Sequence, residues 1–190
     1  MLSTRVGYAG GATQHPSYHQ LGDHREAVEV TFNPQVISYE ELLDVFWRGQ
    51  PIRLPPDPNP RVHLAVMPSG EWQTQAVADD LIELRRQKRG KVQVDVLPNA
   101  NFWPAEPLHQ KFYLQRGHGE LVQELAAGFP DLDSFLTSTA ATKLNAWLTP
   151  MGHQENLHQA AQELGIQVKT LRDLFEKRDH SAESQSASES

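Results

Sequence analysis

Polar and apolar positions alternate early in the chain. Thr4 to Tyr8 predicts a short strand that closes on the flexible Ala9-Gly10-Gly11. Ala27 to Phe32 predicts a second strand, and Asn33-Pro34 turns the chain. Ser38-Tyr39-Glu40-Glu41 has the form of a capping box, with Ser38 at the N-cap and Glu41 three residues on. The following helix is predicted to bury Leu42, Leu43, Phe46 and Trp47 along one side and to stop before Pro51. Four prolines between Ile52 and Pro60 predict an extended loop, because proline lacks a donor and restrains the residue before it. Val62 to Met67 reads as a strand. Gly70 to Arg89 reads as a long helix, with Trp72, Ala76, Val77, Leu81 and Leu84 near helical spacing. Val92 to Leu97 alternates as a strand, Pro98 to Phe102 is a loop, and Pro104 suits the first turn of another helix.

This order predicts an α+β fold, a two-layer sandwich with helices over a mixed sheet, ending near residue 117. Residues 118–178 are helical only, with candidate helices at Leu121 to Ala127, Leu132 to Leu148, His153 to Leu164 and Thr170 to Lys177. No internal repeat is visible. Residues 179–190 end in SAESQSASES and predict a disordered tail.

Composition narrows the picture. The 190 residues suffice for one domain with a small appendage, and apolar content is 38%. The net charge of −7 and the narrow basic run Arg85 to Lys91 predict no nucleic-acid surface; that run reads as a solvated helix end. No apolar run approaches the roughly 18 residues that span a bilayer. No signal peptide is visible, so the expected location is the cytoplasm. With no cysteine, the chain offers no disulfide, thiolate metal site or thiol nucleophile.

Chemistry concentrates in GYAGGATQHPSYHQLGDHREAVEV, Gly7 to Val30. Its glycines suggest a cradle for a small polar ligand. His15 and His19 have the spacing of a helical metal pair, but Pro16 and Gly22 make the segment a loop, and no metal site is expected. His109 reads as a core or helix-surface histidine, and His153 and His158 as surface residues. Glu26, just after His24 and at a strand mouth, is a candidate general acid if it is buried. Tyr18 is either a hydrogen-bond donor from the loop or a packing aromatic. Phe46-Trp47 lies in an amphipathic helix and reads as core.

Four ordered blocks carry a family resemblance: TRVGYAGG (Thr4 to Gly11), PSYHQLGDHREAVEV (Pro16 to Val30), FNPQVISYEELLDVFW (Phe32 to Trp47) and NFWPAEPLHQKFYLQ (Asn101 to Gln115). Together they resemble the peptide methionine sulfoxide reductase A family. The resemblance implies a two-layer α+β sandwich that reduces the S-epimer of methionine sulfoxide, in proteins or free, and so reverses oxidative damage. It implies a cysteine nucleophile in Gly-Cys-Phe-Trp, a glutamic acid that protonates the sulfoxide oxygen, tyrosine hydroxyls that bind it, no bound cofactor, and thioredoxin as reductant. By position, Glu26 matches the proton donor and Tyr18 the first oxygen-binding tyrosine. His24 and Asp57 fall with the substrate-binding residues, Asp57 within the proline-rich loop.

The chain also departs from the family. Val62 stands where a second tyrosine is expected, and Pro107 and Leu108 replace residues that are commonly acidic and aromatic. Leu2 to Arg5 corresponds to the family's second strand, so the first strand, the Gly-Cys-Phe-Trp motif and its helix have no counterpart. Val45-Phe46-Trp47 does not replace that motif. Loss of such elements predicts exposed apolar surface and an unpaired strand edge. Three expectations follow: a working reductase whose gene start is placed too far downstream, a non-catalytic relative that binds oxidised methionine or a partner protein, or a decaying gene.

Overall fold

The computed structural model describes residues 2–49, 63–87, 94–116 and 119–149, with short pieces between 161 and 176. The chain divides into two units, Met1–Glu106 and Pro107–Ser190, each with its own packed cluster.

In the first unit, β1 (Ser3–Ala9) is the centre of an antiparallel sheet. It lies between β2 (Arg25–Thr31) and β5 (Phe102–Pro104). The register pairs Tyr8 with Glu26 on one side and with Trp103 on the other. Gly7 is required where β1 meets β5: an added Cβ would lie 2.3 Å from the Trp103 carbonyl and 2.5 Å from the Phe102 ring. Arg5 and Glu29, opposite each other in the register, form an ion pair at 2.5 Å.

A second sheet is parallel. It joins β3 (Leu64–Val66) to β4 (Val94–Val96), with α2 (Gly70–Arg86) between them in sequence. The expected strands therefore fall into two small sheets, one antiparallel and one parallel. Arg25 links them through Asp95 at 2.6 Å.

Helix α1 (Tyr39–Gly49) forms where the capping box predicts it. The Ser38 hydroxyl accepts from the Glu41 amide at 3.1 Å, and the Glu41 carboxylate accepts from the Ser38 amide at 2.8 Å. Its buried face is Tyr39, Leu43 and Trp47, which pack with Val77, Leu81 and Leu84 of α2. Phe46 packs at the edge of this cluster, so Phe46 and Trp47 are core as expected. The Trp47 indole donates to Asp80 at 2.7 Å, which satisfies its one polar atom. Trp72, expected on the buried side of α2, is 59% exposed; it lies in the first turn, where its ring meets Tyr39 at 5.7 Å.

Pro104, expected in the first turn of a helix, ends β5 instead. A proline at the end of an edge strand leaves no ladder bond unmade. The Ala105 amide resumes pairing with Val6 at 3.0 Å.

The second unit is helical. A 3-10 turn (Pro107–His109) leads into α3 (Phe112–Gln115), α4 (Gly119–Ala126), α5 (Leu132–Leu136) and α6 (Thr139–Trp147). They surround Leu114, Val122, Phe135, Leu136, Ala141 and Leu144. The single helix expected from Leu132 to Leu148 is two. Ser138 is extended (φ −74°, ψ 161°) and caps α6 by accepting from the Ala141 amide. Asp131 caps α5 in the same way, through Ser134.

The outer strand β2 leaves Val28 (62%) and Val30 (38%) exposed, and Leu2 is 45% exposed.

Candidate functional site

The sequence 10–24 folds as a loop clipped to itself. The Asp23 carboxylate accepts from the amides of Ala12 (2.8 Å) and Thr13 (3.0 Å) and from the Thr13 hydroxyl (2.6 Å). The Thr13 hydroxyl, then the two amides, hold this exposed carboxyl well below the usual carboxylate range. Next to it, His24 is fully buried. Its Nδ1 accepts from the Gly11 amide at 3.3 Å, and its Nε2 donates to the Thr13 carbonyl at 2.7 Å. These two partners dictate a neutral ring protonated at Nε2. Gly11 is obligatory here, because a Cβ would lie 2.5 Å from Asp23 and 2.7 Å from the His24 ring.

The glycine stretch thus differs from the expected ligand cradle. Its amides at Gly11, Ala12 and Thr13 already have partners within the chain. His24 likewise turns both ring nitrogens inward to the loop. His15 and His19 lie in a loop, with His15 at φ 53°, and they share no helical face. No group of three or more potential metal ligands occurs among the described residues.

The loop carries Tyr18 on a tight turn, in which Ser17 and Gln20 exchange backbone bonds at 3.0 and 3.3 Å. The Tyr18 ring is 54% exposed and meets His19 edge-on. Upstream, His15 packs against Trp103 at 4.9 Å between ring centroids.

Tyr8 anchors the site. It is buried at the middle of the antiparallel sheet, and its hydroxyl donates to Glu106 Oε2 at 2.9 Å. The other oxygen of Glu106 accepts from the Tyr18 amide at 3.3 Å. Burial first, then the Glu106 hydrogen bond, then the charges of Glu106 and Glu26, push the Tyr8 hydroxyl up to about 12. It is a fixed donor at neutral pH.

Glu26 is the strand partner of Tyr8, so the two side chains leave the sheet on the same face. Glu26 is exposed, contrary to the burial that a strand mouth suggested. The reason is its place on an outer strand whose face, with Val28 and Val30, nothing among the described residues covers.

The structure therefore groups Tyr8, Tyr18, Glu26 and Glu106. Asp57 and Val62 lie outside the described residues, as do His153 and His158. His109 belongs to the 3-10 turn of the helical unit. Sequence reading missed Tyr8 and Glu106. Alternation in β1 and β2 places Tyr8 with Glu26 once the register is known. Glu106 reaches its partners across 98 and 88 residues, which no local pattern signals.

An α+β domain presenting two tyrosines and two carboxylates around one sheet, with no thiol of its own, is what the geometry defines. Residues 1–132 match the family described as peptide methionine sulfoxide reductase, and the chain belongs to that family. It is 37% identical to a peptide methionine sulfoxide reductase of Drosophila melanogaster over 167 residues, covering 87% of this chain and 66% of the relative. It is 36% identical to peptide methionine sulfoxide reductase A5 of Oryza sativa subsp. japonica over 152 residues, covering 77% and 59%. Among solved structures it is similar to methionine sulfoxide reductase A of Corynebacterium diphtheriae, with TM-score 0.49 and 24% identity over 61% of this chain and 66% of that one. The chain spans less than two thirds of the length of either the fly or the rice relative.

Proposed function

We propose that this chain supplies the oxygen-side half of a peptide-methionine (S)-S-oxide reductase. In this reading Glu26, exposed among these residues and covered once the further strand and helix of the same proposal are in place, protonates the sulfoxide oxygen, and Tyr18 donates a hydrogen bond to it. The observation that carries the reading is the common anchor of the two on Tyr8. Glu26 is its strand partner, and the Tyr18 turn reaches it through Glu106. Asp57 and His24 are assigned to substrate binding on the family resemblance, and His24 orders the glycine loop through Gly11 and Thr13.

The 190 residues contain no cysteine, so the attacking thiolate comes from outside them. The step balances simply. The thiolate sulfur bonds to the sulfoxide sulfur, the oxygen takes the proton of Glu26, and the oxygen passes to the thiol as a sulfenic acid. The thioether leaves as repaired methionine. A second thiol then displaces water and forms a disulfide, which a dithiol such as thioredoxin reduces. No metal or bound cofactor takes part.

The finer architecture belongs to the same proposal. It is a two-layer sandwich in which a further strand and helix cover the face of Val28 and Val30, with a helical C-terminal extension. Cytoplasmic location is part of it too. No helix among the described residues is long and apolar enough to cross a membrane.

The test joins a Gly-Cys-Phe-Trp segment to the N-terminus and assays methionine (S)-sulfoxide reduction with dithiothreitol. Turnover is expected. Glu26→Gln should then lower kcat by about 10²–10⁴-fold and change KM much less, as removal of a general acid does. No turnover by the parent, with substrate still bound, would replace the reductase reading with a binding protein for oxidised methionine. The intact mass of the native protein checks the premise. A mass above 21.4 kDa would reveal residues that precede Met1.

A further inference from the structure

We propose that Glu106 is a positioning residue that clamps the Tyr18 turn onto the Tyr8 hydroxyl at the sheet's centre. The consequence for ligand binding rests on the oxygen-binding role proposed for Tyr18; the clamp itself does not.

Geometry carries this. Glu106 follows Ala105, whose amide is bonded to the Val6 carbonyl at 3.0 Å, so its backbone is pinned beside β1. From that fixed point one carboxylate oxygen takes the Tyr8 hydroxyl at 2.9 Å and the other takes the Tyr18 amide at 3.3 Å. The Ser17–Gln20 bonds close the turn on itself but tie it to nothing else. Sequence-distant anchors are needed to place it. Glu106 is one, and the His15–Trp103 ring contact just upstream is another.

Both Glu106 contacts are charge-assisted, and the Tyr8 donor is buried, so the loss of its partner is costly. A neutral amide at this position offers one acceptor oxygen in place of two, so the Tyr8 hydroxyl and the Tyr18 amide no longer each have a charged acceptor. The clamp also ties Tyr18 to the face that carries Glu26, because Glu26 pairs with the same Tyr8. A shift of the turn would separate the two groups without altering either.

Amide hydrogen exchange measured by NMR on the full chain tests this, in Glu106→Gln and Glu106→Ala. The Tyr18 amide should exchange about tenfold faster in both, while Val6 and Ala27, whose amides face into the sheet, stay protected. Glu106→Gln is isosteric and serves if the alanine variant does not fold. In the same variant the Tyr8 phenol, followed by the NMR shift of its ring carbons, should ionise at lower pH than in the parent. Loss of packing alone would not move that readout in an isosteric variant. Unchanged Tyr18 exchange in a folded Glu106→Ala protein, or unchanged Tyr18 exchange together with unchanged Tyr8 ionisation in Glu106→Gln, overturns the proposal. Titration with a methionine-sulfoxide dipeptide separates the two ideas. Faster Tyr18 exchange in the variant together with no binding by the parent leaves the clamp standing and removes the substrate reading. Binding by the parent that weakens about tenfold in Glu106→Gln supports both.

Discussion

Asp23 shows how a single exposed side chain can shape a loop. Its carboxylate takes three donors from Ala12 and Thr13, and these bonds depress its proton affinity. The unfolded chain has no such bonds, so it binds the proton more readily than the native chain does. Stability from this group is therefore present above the unfolded value of about 4 and is lost as the pH falls below it. Asp23→Asn should lower the melting temperature at pH 7, and the gap from the parent should narrow as the pH falls below about 4. Thermal melts followed by circular dichroism across that range check this. A constant gap would mean that Asp23 acts through shape and not charge. His24 complements this clip from the buried side. His24, a candidate substrate-binding residue in the sequence, and Asp23 together hold the backbone around them.

At the scale of elements, caps and face patterns decide where helices stop. The capping box at Ser38 and Glu41 was legible because both partners lie within one turn of each other. The spacing Tyr39, Leu43, Trp47 was only partly legible, since Leu42 and Phe46 offered an equally apolar stripe. The break between α5 and α6 was hidden. Thr137 and Ser138 are tolerable inside a helix, and it is the extended backbone at Ser138 that makes it a cap. Ser138→Ala removes the acceptor for the Ala141 amide and should destabilise the helical unit by about 1 kcal/mol. Urea titration of the variant checks the value. No change in midpoint would show that water replaces the hydroxyl fully.

β5 was missed for a related reason. Three residues ending in proline carry no alternation to read. Their strand character comes entirely from β1, which lends them hydrogen bonds from far away in the sequence.

For the whole molecule, the outer strand is the notable feature. Val28 and Val30 stand exposed on β2, and such a strand invites pairing with another chain. Val28→Lys should leave the stability of the 190-residue chain within about 1 kcal/mol of the parent, as most surface changes do. It should also reduce self-association seen by light scattering. A large loss of stability would mean that the valine is covered in solution.

The sequence by itself determined the family, the α+β class, the capping box, the core role of Phe46 and Trp47, and the lack of any thiol in these residues. Each rests on contiguous motifs, short periodicity or simple composition. Only the tertiary structure decided that Tyr8 is the anchor of the site, that Glu106 ties the Tyr18 turn to it, that His24 faces inward and that Glu26 is exposed. Those facts depend on sheet register and on contacts between residues far apart in the chain. Such contacts form when burial and hydrogen bonding across the fold are satisfied together, and no local stretch of sequence records them.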